Sequence, residues 1–181
     1  MSDEQLFSLC QENGEARLER DSDGKIIVTS PTGLFTSDRN SEIIAQLSIW
    51  NRARNAGHVL DSNAGFFLPN GTMRSPDAAW VSNEKWALYS KKELANFAKL
   101  VPEFIIELKS PFDVIAQLQL KMREWMENGV LLGWLIDPDT EEIYVYEKPE
   151  EIRKITGFDS PLSGNPVLSG FELDLCRLRI V

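Results

Sequence analysis

The sequence predicts an α/β domain in which a mixed central sheet is flanked by helices and preceded by an N-terminal hairpin. Two observations predict this class. Strand-like and helix-like segments alternate along the chain, and no repeat, low-complexity tract or Pro/Gly/Ser-rich linker divides them. The length of 181 residues suits one domain with a substantial core and is short for two ordinary ones. We therefore expect a single domain over 1–181.

Composition and charge limit where the protein works and what it binds. No apolar run approaches the roughly 20 residues of a membrane helix, and the N-terminal residues do not form a secretory signal. We therefore expect a cytoplasmic protein with no membrane partner. The net charge is −9, whereas nonspecific nucleic-acid affinity comes mostly from Lys and Arg on phosphates. Any nucleic-acid binding must then use a local patch, a dimer groove or a partner.

The first half of the chain carries a hairpin signal and one well-patterned helix. Two strand-like runs in 16–30 surround Asp21-Ser22-Asp23-Gly24, a composition typical of a hairpin turn. From about Ser41 the apolar residues recur at helical spacing, which predicts a helix of about fifteen residues; these residues are Ile43, Ile44, Leu47 and Trp50. The other predicted elements are short strands at 58–62 and 65–69, a strand at 77–81 and a short helix at 91–99.

The second half begins with an apolar run at 102–110 that predicts a central strand covered on both faces. Ser110 can cap the following helix, Asp113 gives a capping-box spacing, and Gly129 lies just past the helix end. The predicted buried stripe of this helix is Ile115, Leu118, Met122 and Trp125. The remaining predicted strands are 130–137, 142–147 and 171–180.

The most informative residues are Asp77, Glu107 and Lys109. Side chains alternate along a strand, so Glu107 and Lys109 are expected on the same face. If the strand at Asp77 pairs with this one, two carboxylates converge beside one ammonium group, an arrangement suited to a hard divalent cation such as Mg²⁺. The metal would polarise a phosphodiester oxygen, while Lys109 would orient a water or stabilise developing negative charge.

Each candidate residue also has a structural explanation that involves no function. Glu-x-Lys on an exposed strand is usually a solvated ion pair worth under about 1 kcal/mol. Here the pair closes a buried strand just before a helix, where active sites at sheet ends are common.

His58 is the only histidine, so a multi-His zinc site is excluded and a structural role is expected. No phosphate-binding glycine motif occurs, so no nucleotide cofactor is expected. Trp80, Trp86, Trp125 and Trp134 alternate with apolar neighbours and are expected in the core rather than in base stacking.

The stretch 75–138 also resembles a known family. Its segments SPDAAWVS, VPEFIIELKSP and NGVLLGWLIDP are similar to those of the Uma-type family of restriction-endonuclease-like proteins, within the PD-(D/E)XK nuclease superfamily. The helix around Glu42 and the segment SGFELDL extend the resemblance more weakly to both sides. It implies a restriction-endonuclease-like mixed sheet, with Lys109 as the base-like residue and Lys121 as a further catalytic position. The implied metal ligands are Asp77, Glu107, Leu108 and Glu42.

Three implied positions need qualification. Gln117 stands where many members of the family have an acid, which puts a second helical carboxylate in doubt. Glu42 has a plainer interpretation as an acid favoured near a helix N-terminus. Lys121 can likewise be interpreted as part of a solvated polar face of its helix.

Together these residues predict a magnesium-dependent endonuclease that hydrolyses DNA, with Mn²⁺ as a substitute metal. Cleavage of RNA instead of DNA is a further hypothesis, because Asp77, Glu107 and Lys109 alone do not distinguish the two substrates. The alternative from another class is a catalytically silent interaction or oligomerisation module, which the acidity of the chain favours. The presence of Asp77, Glu107 and Lys109 together favours the endonuclease hypothesis over the silent module. A site that has lost its activity has no physical reason to keep two carboxylates close together. Cutting both strands of a duplex with one site per chain further predicts a homodimer.

Overall fold

The structure, a computed structural model, describes residues 1–14, 16–148 and 152–179. In chain order the helices are α1 (Asp3–Glu12), α2 (Leu34–Arg54), α3 (Asn83–Trp86), α4 (Lys91–Leu94) and α5 (Ile115–Glu127). The strands are β1 (Arg17–Arg20), β2 (Ile26–Thr29), β3 (Gly57–Asp61), β4 (Phe66–Phe67), β5 (Met73–Arg74), β6 (Ala78–Ser82), β7 (Phe104–Leu108), β8 (Leu132–Asp137), β9 (Glu142–Glu147), β10 (Arg153–Thr156), β11 (Leu162–Ser163) and β12 (Glu172–Leu173). A 3-10 helix follows at Leu175–Leu178.

A mixed six-stranded sheet forms the centre of the protein. Its strand order is β10-β9-β8-β7-β6-β3. Strands β7 and β8 run parallel, and every other neighbouring pair is antiparallel. Helix α5 connects β7 to β8 because a parallel pair needs a crossover rather than a tight turn. This confirms the predicted mixed sheet.

Helices cover both faces of this sheet. On one face, Ile43 and Leu47 of α2 share a core with Ile106 of β7. On the other, Met122 and Trp125 of α5 share a second core with Ile105, Leu135 and their neighbours. Every residue of β7 and β8 is buried, as expected for strands covered on both sides. The helices and the alternating side chains of β7 therefore fix which face each residue near its end can reach.

The N-terminal hairpin is part of a second sheet. Strands β1 and β2 pair antiparallel as predicted, and β5 and β4 continue the sheet in the order β2-β1-β5-β4. Helix α1, which was not predicted, packs Leu6 against Phe67 and Met73. The second sheet therefore brings β1 next to β5, the strand that leads into β6.

Two predicted helix starts were wrong. Helix α2 has 21 residues and starts seven residues before Ser41 at Leu34; its first turns include Arg39, whose Nε donates to the Leu178 carbonyl 2.9 Å away. Helix α5 starts at Ile115 with Val114 as its N-cap. Ser110 and Asp113 bond to each other in a turn instead, at 2.8 Å and 3.1 Å.

Two further predicted elements are shorter than expected. The helix at 91–99 is limited to α4, and the strand at 171–180 is limited to β12 within the residues described, its last residue lying outside them. After β12 the Asp174 carboxylate accepts a hydrogen bond from the Cys176 backbone N, which caps the 3-10 helix. Within the described ranges, none of the helices combines the length and apolar character needed to cross a bilayer.

Candidate active site

Asp77 lies immediately before β6, at the end of the sheet where β7 and β8 finish. Its backbone N donates to the Ile106 carbonyl at 3.0 Å, and its Oδ2 accepts from the Leu108 backbone N at 2.8 Å. These two bonds tie Asp77 to the residues on either side of Glu107. The structure therefore brings Asp77 and Glu107 together, as the sequence predicted.

The Glu107 carboxylate points toward α5, and its side chain is only 3% exposed. Its Oε1 accepts a hydrogen bond from Trp125 Nε1 at 3.0 Å and lies 2.9 Å from Lys121 Nζ. The ammonium group beside Glu107 is thus that of Lys121. The Lys121 side chain is 15% exposed, so it does not belong to a solvated helix face.

Lys109 follows β7 directly and has different partners. Its Nζ lies 3.5 Å from Asp137 Oδ2 and 3.8 Å from Asp139 Oδ2, at the end of β8. Asp137 was not predicted as part of the site. The parallel register, which the sequence alone does not fix, pairs Leu108 with Ile136 and so places the next residues, Lys109 and Asp137, side by side.

Sequence reasoning also missed Arg17 and Glu19 of β1. Arg17 Nη1 lies 3.2 Å from Asp77 Oδ1, and Arg17 Nη2 donates to the Ser75 carbonyl. Glu19 Oε1 lies 2.9 Å from Lys121 Nζ and accepts from the Ser75 backbone N at 3.0 Å. The signal was their spacing of two, which places both side chains on one face of the hairpin strand.

Arg74 and Glu124 extend this network. Arg74 Nη1 lies 3.2 Å from Glu19 Oε2, and Arg74 Nε donates to the Glu124 carboxylate. Glu19 is therefore held by cations on both of its oxygens. Lys121 and Glu124 of α5 therefore both face the second sheet.

The charges of the inner cluster do not cancel. Four carboxylates, those of Glu19, Asp77, Glu107 and Glu124, face three cations, Arg17, Arg74 and Lys121, which leaves one net negative charge. The pKa of Glu107 is raised to about 7, because burial, together with the charges of Asp77 and Glu19, outweighs the lowering effect of Lys121 and Arg17. Glu107 therefore takes up a proton more readily than an ordinary glutamate.

The pKa values of Lys121 and Glu19 shift in the directions that keep these two groups charged. Burial alone would lower the pKa of Lys121, but Glu107 and Glu19 outweigh burial and raise it. Burial alone would raise the pKa of Glu19, but Lys121 and Arg17 outweigh burial and lower it. Of these three groups, only Glu107 has a pKa shifted toward its uncharged form.

Two of the implied metal ligands lie differently from Asp77 and Glu107. Glu42 is on α2, which covers the opposite face of the sheet, and it contacts Gln46 Nε2 at 3.0 Å and Arg177 Nη1 at 3.8 Å. Leu108 packs its side chain in the core on the α2 face, so only its backbone carbonyl could serve as a ligand. The structure does not bring Glu42 to the carboxylate pair.

The oxygen donors at this site are two carboxylates, those of Asp77 and Glu107. Within the part of the chain that is described, no three side chains of His, Cys, Asp or Glu gather as metal ligands. Asp77 and Glu107 provide two carboxylates in a cluster that lacks one positive charge. Mg²⁺ commonly binds through one or two carboxylates and completes its shell with water and substrate phosphate. The pair therefore fits such an ion chemically.

His58 packs against an aromatic side chain. Its ring stacks on Trp86 with ring centroids 4.0 Å apart, as a structural role predicts. Trp80, Trp125 and Trp134 are buried in the core as expected, whereas Trp86 is only half-buried.

The six-stranded mixed sheet, covered by helices on both faces and carrying Asp77 and Glu107 at one end, defines a protein of the restriction-endonuclease-like class. The model of the Uma2 family, described as "Putative restriction endonuclease", matches residues 3–176. The chain belongs to this family, which confirms the resemblance of its motifs.

A solved structure has the same fold. The crystal structure of "a putative nuclease belonging to DUF820" from Anabaena variabilis ATCC 29413 is similar to this chain with a TM-score of 0.74 and 21% sequence identity. The similarity covers 89% of this chain and 88% of that chain. No curated protein matches the sequence.

Proposed function

We propose that the protein is a magnesium-dependent endonuclease that hydrolyses DNA phosphodiester bonds, with Mn²⁺ as a substitute metal. One observation carries the proposal: Asp77 is bonded to the backbone on both sides of the buried Glu107, so two carboxylates are held at the carboxyl end of β7. Membership of a nuclease family supports the reaction class.

The residues that would hold the metal are Asp77 and Glu107. A bound divalent ion would polarise a phosphodiester oxygen and lower the pKa of a water molecule. The net negative charge of the cluster favours a cation here, because a third carboxylate, Glu19, lies on the same Lys121 ammonium as Glu107. Glu42 is left out of the proposed ligand set because α2 covers the opposite sheet face.

Each of the two lysines has its own proposed role. Lys109 lies at the same end of the sheet and would orient the attacking water or stabilise the negative charge that develops on the phosphate. Lys121 is bonded to both Glu107 and Glu19 and is itself largely buried, so it would act as a positioning residue for Glu107.

Plasmid cleavage tests the proposal. The native chain in Mg²⁺ should nick supercoiled DNA, and Asp77→Asn and Glu107→Gln should each lose this activity. Glu127→Gln is a matched control, because Glu127 is an exposed carboxylate on α5. Equal nicking by all four proteins would contradict the assigned site.

A dimer would accompany cleavage of duplex DNA. One site per chain cuts both strands most simply in a two-fold assembly. Sedimentation at working concentration should then give twice the monomer mass. A monomer that makes double-strand breaks would contradict this part of the proposal.

The pairing of Arg17 with Asp77 and of Lys121 with Glu107 favours one rival function. Cations of the chain already neutralise part of the charge that a metal would neutralise. In this second proposal the fold is a catalytically silent interaction module. It predicts native protein that neither binds Mg²⁺ nor cleaves DNA at any metal concentration tested.

A further inference from the structure

Arg17 is the most exposed cation of the inner cluster. Its side chain is 28% exposed, whereas those of Lys121 and Arg74 are 15% and 10% exposed. Lys121 also joins two buried carboxylates, Glu19 and Glu107, and cannot leave without stranding both. Arg17 is therefore the cation of this cluster that a ligand arriving from solvent displaces most readily.

Arg17 occupies one oxygen of the proposed metal ligand Asp77. Its Nη1 lies 3.2 Å from Asp77 Oδ1, while Asp77 Oδ2 accepts from the Leu108 backbone N at 2.8 Å. The Leu108 amide is held in place by the pairing of β6 with β7, whereas the guanidinium group ends a flexible side chain. Positive charges repel each other strongly at short range in a partly buried site. A metal bound to Asp77 therefore displaces Arg17 Nη1 and leaves the amide bond intact.

A second contact keeps the displaced guanidinium group beside the site. Arg17 Nη2 donates to the Ser75 carbonyl, two residues before Asp77. The same carbonyl lies 3.3 Å from Lys121 Nζ, which places it at the cluster. A guanidinium group has five N–H donors, so Nη2 can stay on Ser75 while Nη1 takes a new acceptor. Release from Asp77 therefore turns Arg17 without removing it from the site.

The charge of the site indicates what the new acceptor is. With its carboxylates ionised, the inner cluster carries one net negative charge. A divalent ion converts this to one positive charge, and the single negative charge of a phosphodiester then makes the site neutral. This balance requires that Arg17 remains at the site. Arginine is also the side chain whose planar fork matches two phosphate oxygens.

The position of Arg17 supports the same acceptor. Mg²⁺ commonly binds one or two carboxylates together with a substrate phosphate, so a phosphate oxygen that shares the ion with Asp77 lies beside that carboxylate. Arg17 contacts the same carboxylate directly. The phosphate is therefore within reach of its guanidinium group.

We propose that Arg17 is a further catalytic residue, which pairs with Asp77 until a metal takes Oδ1 and then donates to the phosphate that is cleaved. This rests on the proposed nuclease function and deepens it by adding a phosphate-binding group from the N-terminal hairpin. The guanidinium group stabilises the negative charge that develops on the phosphate oxygens in the transition state. Arg17 thus competes with the metal for Asp77 but assists cleavage once metal and substrate are bound.

Two assays test the proposal: calorimetric titration with Mg²⁺ in the absence of DNA, and plasmid nicking at saturating Mg²⁺. Arg17→Gln removes the charge and keeps an amide that can donate to the Ser75 carbonyl. It should bind Mg²⁺ roughly ten-fold more tightly than the native chain, because a competing positive charge is lost. It should cleave roughly 100-fold more slowly, because a donor to the phosphate is lost.

Arg17→Lys and Arg52→Met complete the comparison. Lysine keeps the charge but not the planar fork, so Mg²⁺ affinity should stay within about three-fold of native while cleavage falls between the native and Arg17→Gln rates. Arg52 is an exposed arginine of α2, the helix on the opposite face of the sheet, and its variant should behave like the native chain in both assays. Damage to the structure would instead weaken metal binding and cleavage together.

Either of two results for Arg17→Gln would overturn the proposal: Mg²⁺ affinity equal to or weaker than native, or cleavage as fast as native or faster. Failure of the proposed nuclease function gives a different pattern. Asp77-dependent nicking that Arg17→Gln leaves unchanged would refute the role of Arg17 alone. Native protein that neither binds Mg²⁺ nor nicks DNA would refute the nuclease function and the role of Arg17 with it.

Discussion

Lys121 Nζ lies 2.9 Å from Glu107 Oε1 and 2.9 Å from Glu19 Oε1, so one buried ammonium group joins the end of the central sheet to the N-terminal hairpin. The two carboxylates come from strands in different sheets, β7 and β1. The geometry of Glu107 therefore depends on residues far away in the sequence.

Lys121→Met should destabilise the protein by about 3–5 kcal/mol, because it leaves two buried carboxylates without their shared cation. Urea denaturation measures the loss. Lys92→Met, at an exposed lysine of α4, is the control and should change stability by less than about 0.5 kcal/mol. Adding Glu107→Gln to Lys121→Met should recover part of the loss; a variant as stable as the native chain would contradict the buried pairing.

The raised pKa of Glu107 predicts a pH dependence of stability. The ordinary pKa is near 4.5 and the folded value is about 7, so between these values the folded state binds more protons than the unfolded state. The contribution of this group is therefore fully present below about pH 4.5 and is lost as the pH rises through about 7. Its size is on the order of 3 kcal/mol.

Comparison with Glu107→Gln isolates this contribution. The unfolding free energy of the native chain minus that of the variant should fall as the pH is raised from 4.5 to 8, because glutamine does not titrate. Groups away from the cluster, such as Asp3, affect both proteins equally and cancel in the difference. Parallel pH profiles for the two proteins would show that Glu107 has an ordinary pKa.

Glu19→Gln should lower kcat of DNA cleavage with little change in KM. The substitution weakens the contact that holds Lys121 and so misplaces Glu107, while Glu19 itself touches no substrate in the proposed mechanism. Steady-state kinetics on a plasmid give both constants. Glu12→Gln, at an exposed acid of α1, is the control; an effect confined to KM would indicate that Glu19 contacts the substrate.

Lys109→Met should separate metal binding from catalysis. Lys109 pairs with Asp137 and Asp139 rather than with Glu107, so Mg²⁺ affinity should stay within about three-fold of native. Cleavage should fall roughly 100-fold to 1,000-fold if the ammonium stabilises charge on the phosphate. Calorimetry and a nicking assay on the same preparation check both; unchanged cleavage would remove Lys109 from the mechanism.

The parts of the fold that could be predicted are those set by local patterns. The buried run of β7, the turn between β1 and β2 and the apolar stripe of α5 all follow from periodicity and turn composition. The start of α2 could not be predicted, because its first turns are anchored by a tertiary bond from Arg39 to Leu178. The C-terminal segment turns into a 3-10 helix through the Asp174 cap, despite its strand-like alternation.

Some residues of the candidate site could likewise be predicted from the sequence and others could not. Asp77 and Glu107 could be predicted from their motif and from strand pairing, and the structure brings them together. The partner of Glu107 could not, because choosing Lys121 over Lys109 requires the orientation of α5 above the sheet. Arg17 is 60 residues from Asp77 in sequence, and their contact depends on the register between two sheets, which no local pattern encodes.

Calorimetric titration with Mg²⁺ is the most direct test of the metal site formed by Asp77 and Glu107. The native chain should bind the ion, Asp77→Asn and Glu107→Gln should each lose binding, and Glu127→Gln should bind like the native chain. Saturable binding that is unchanged in both site variants, or no binding to the native chain at all, would contradict the account.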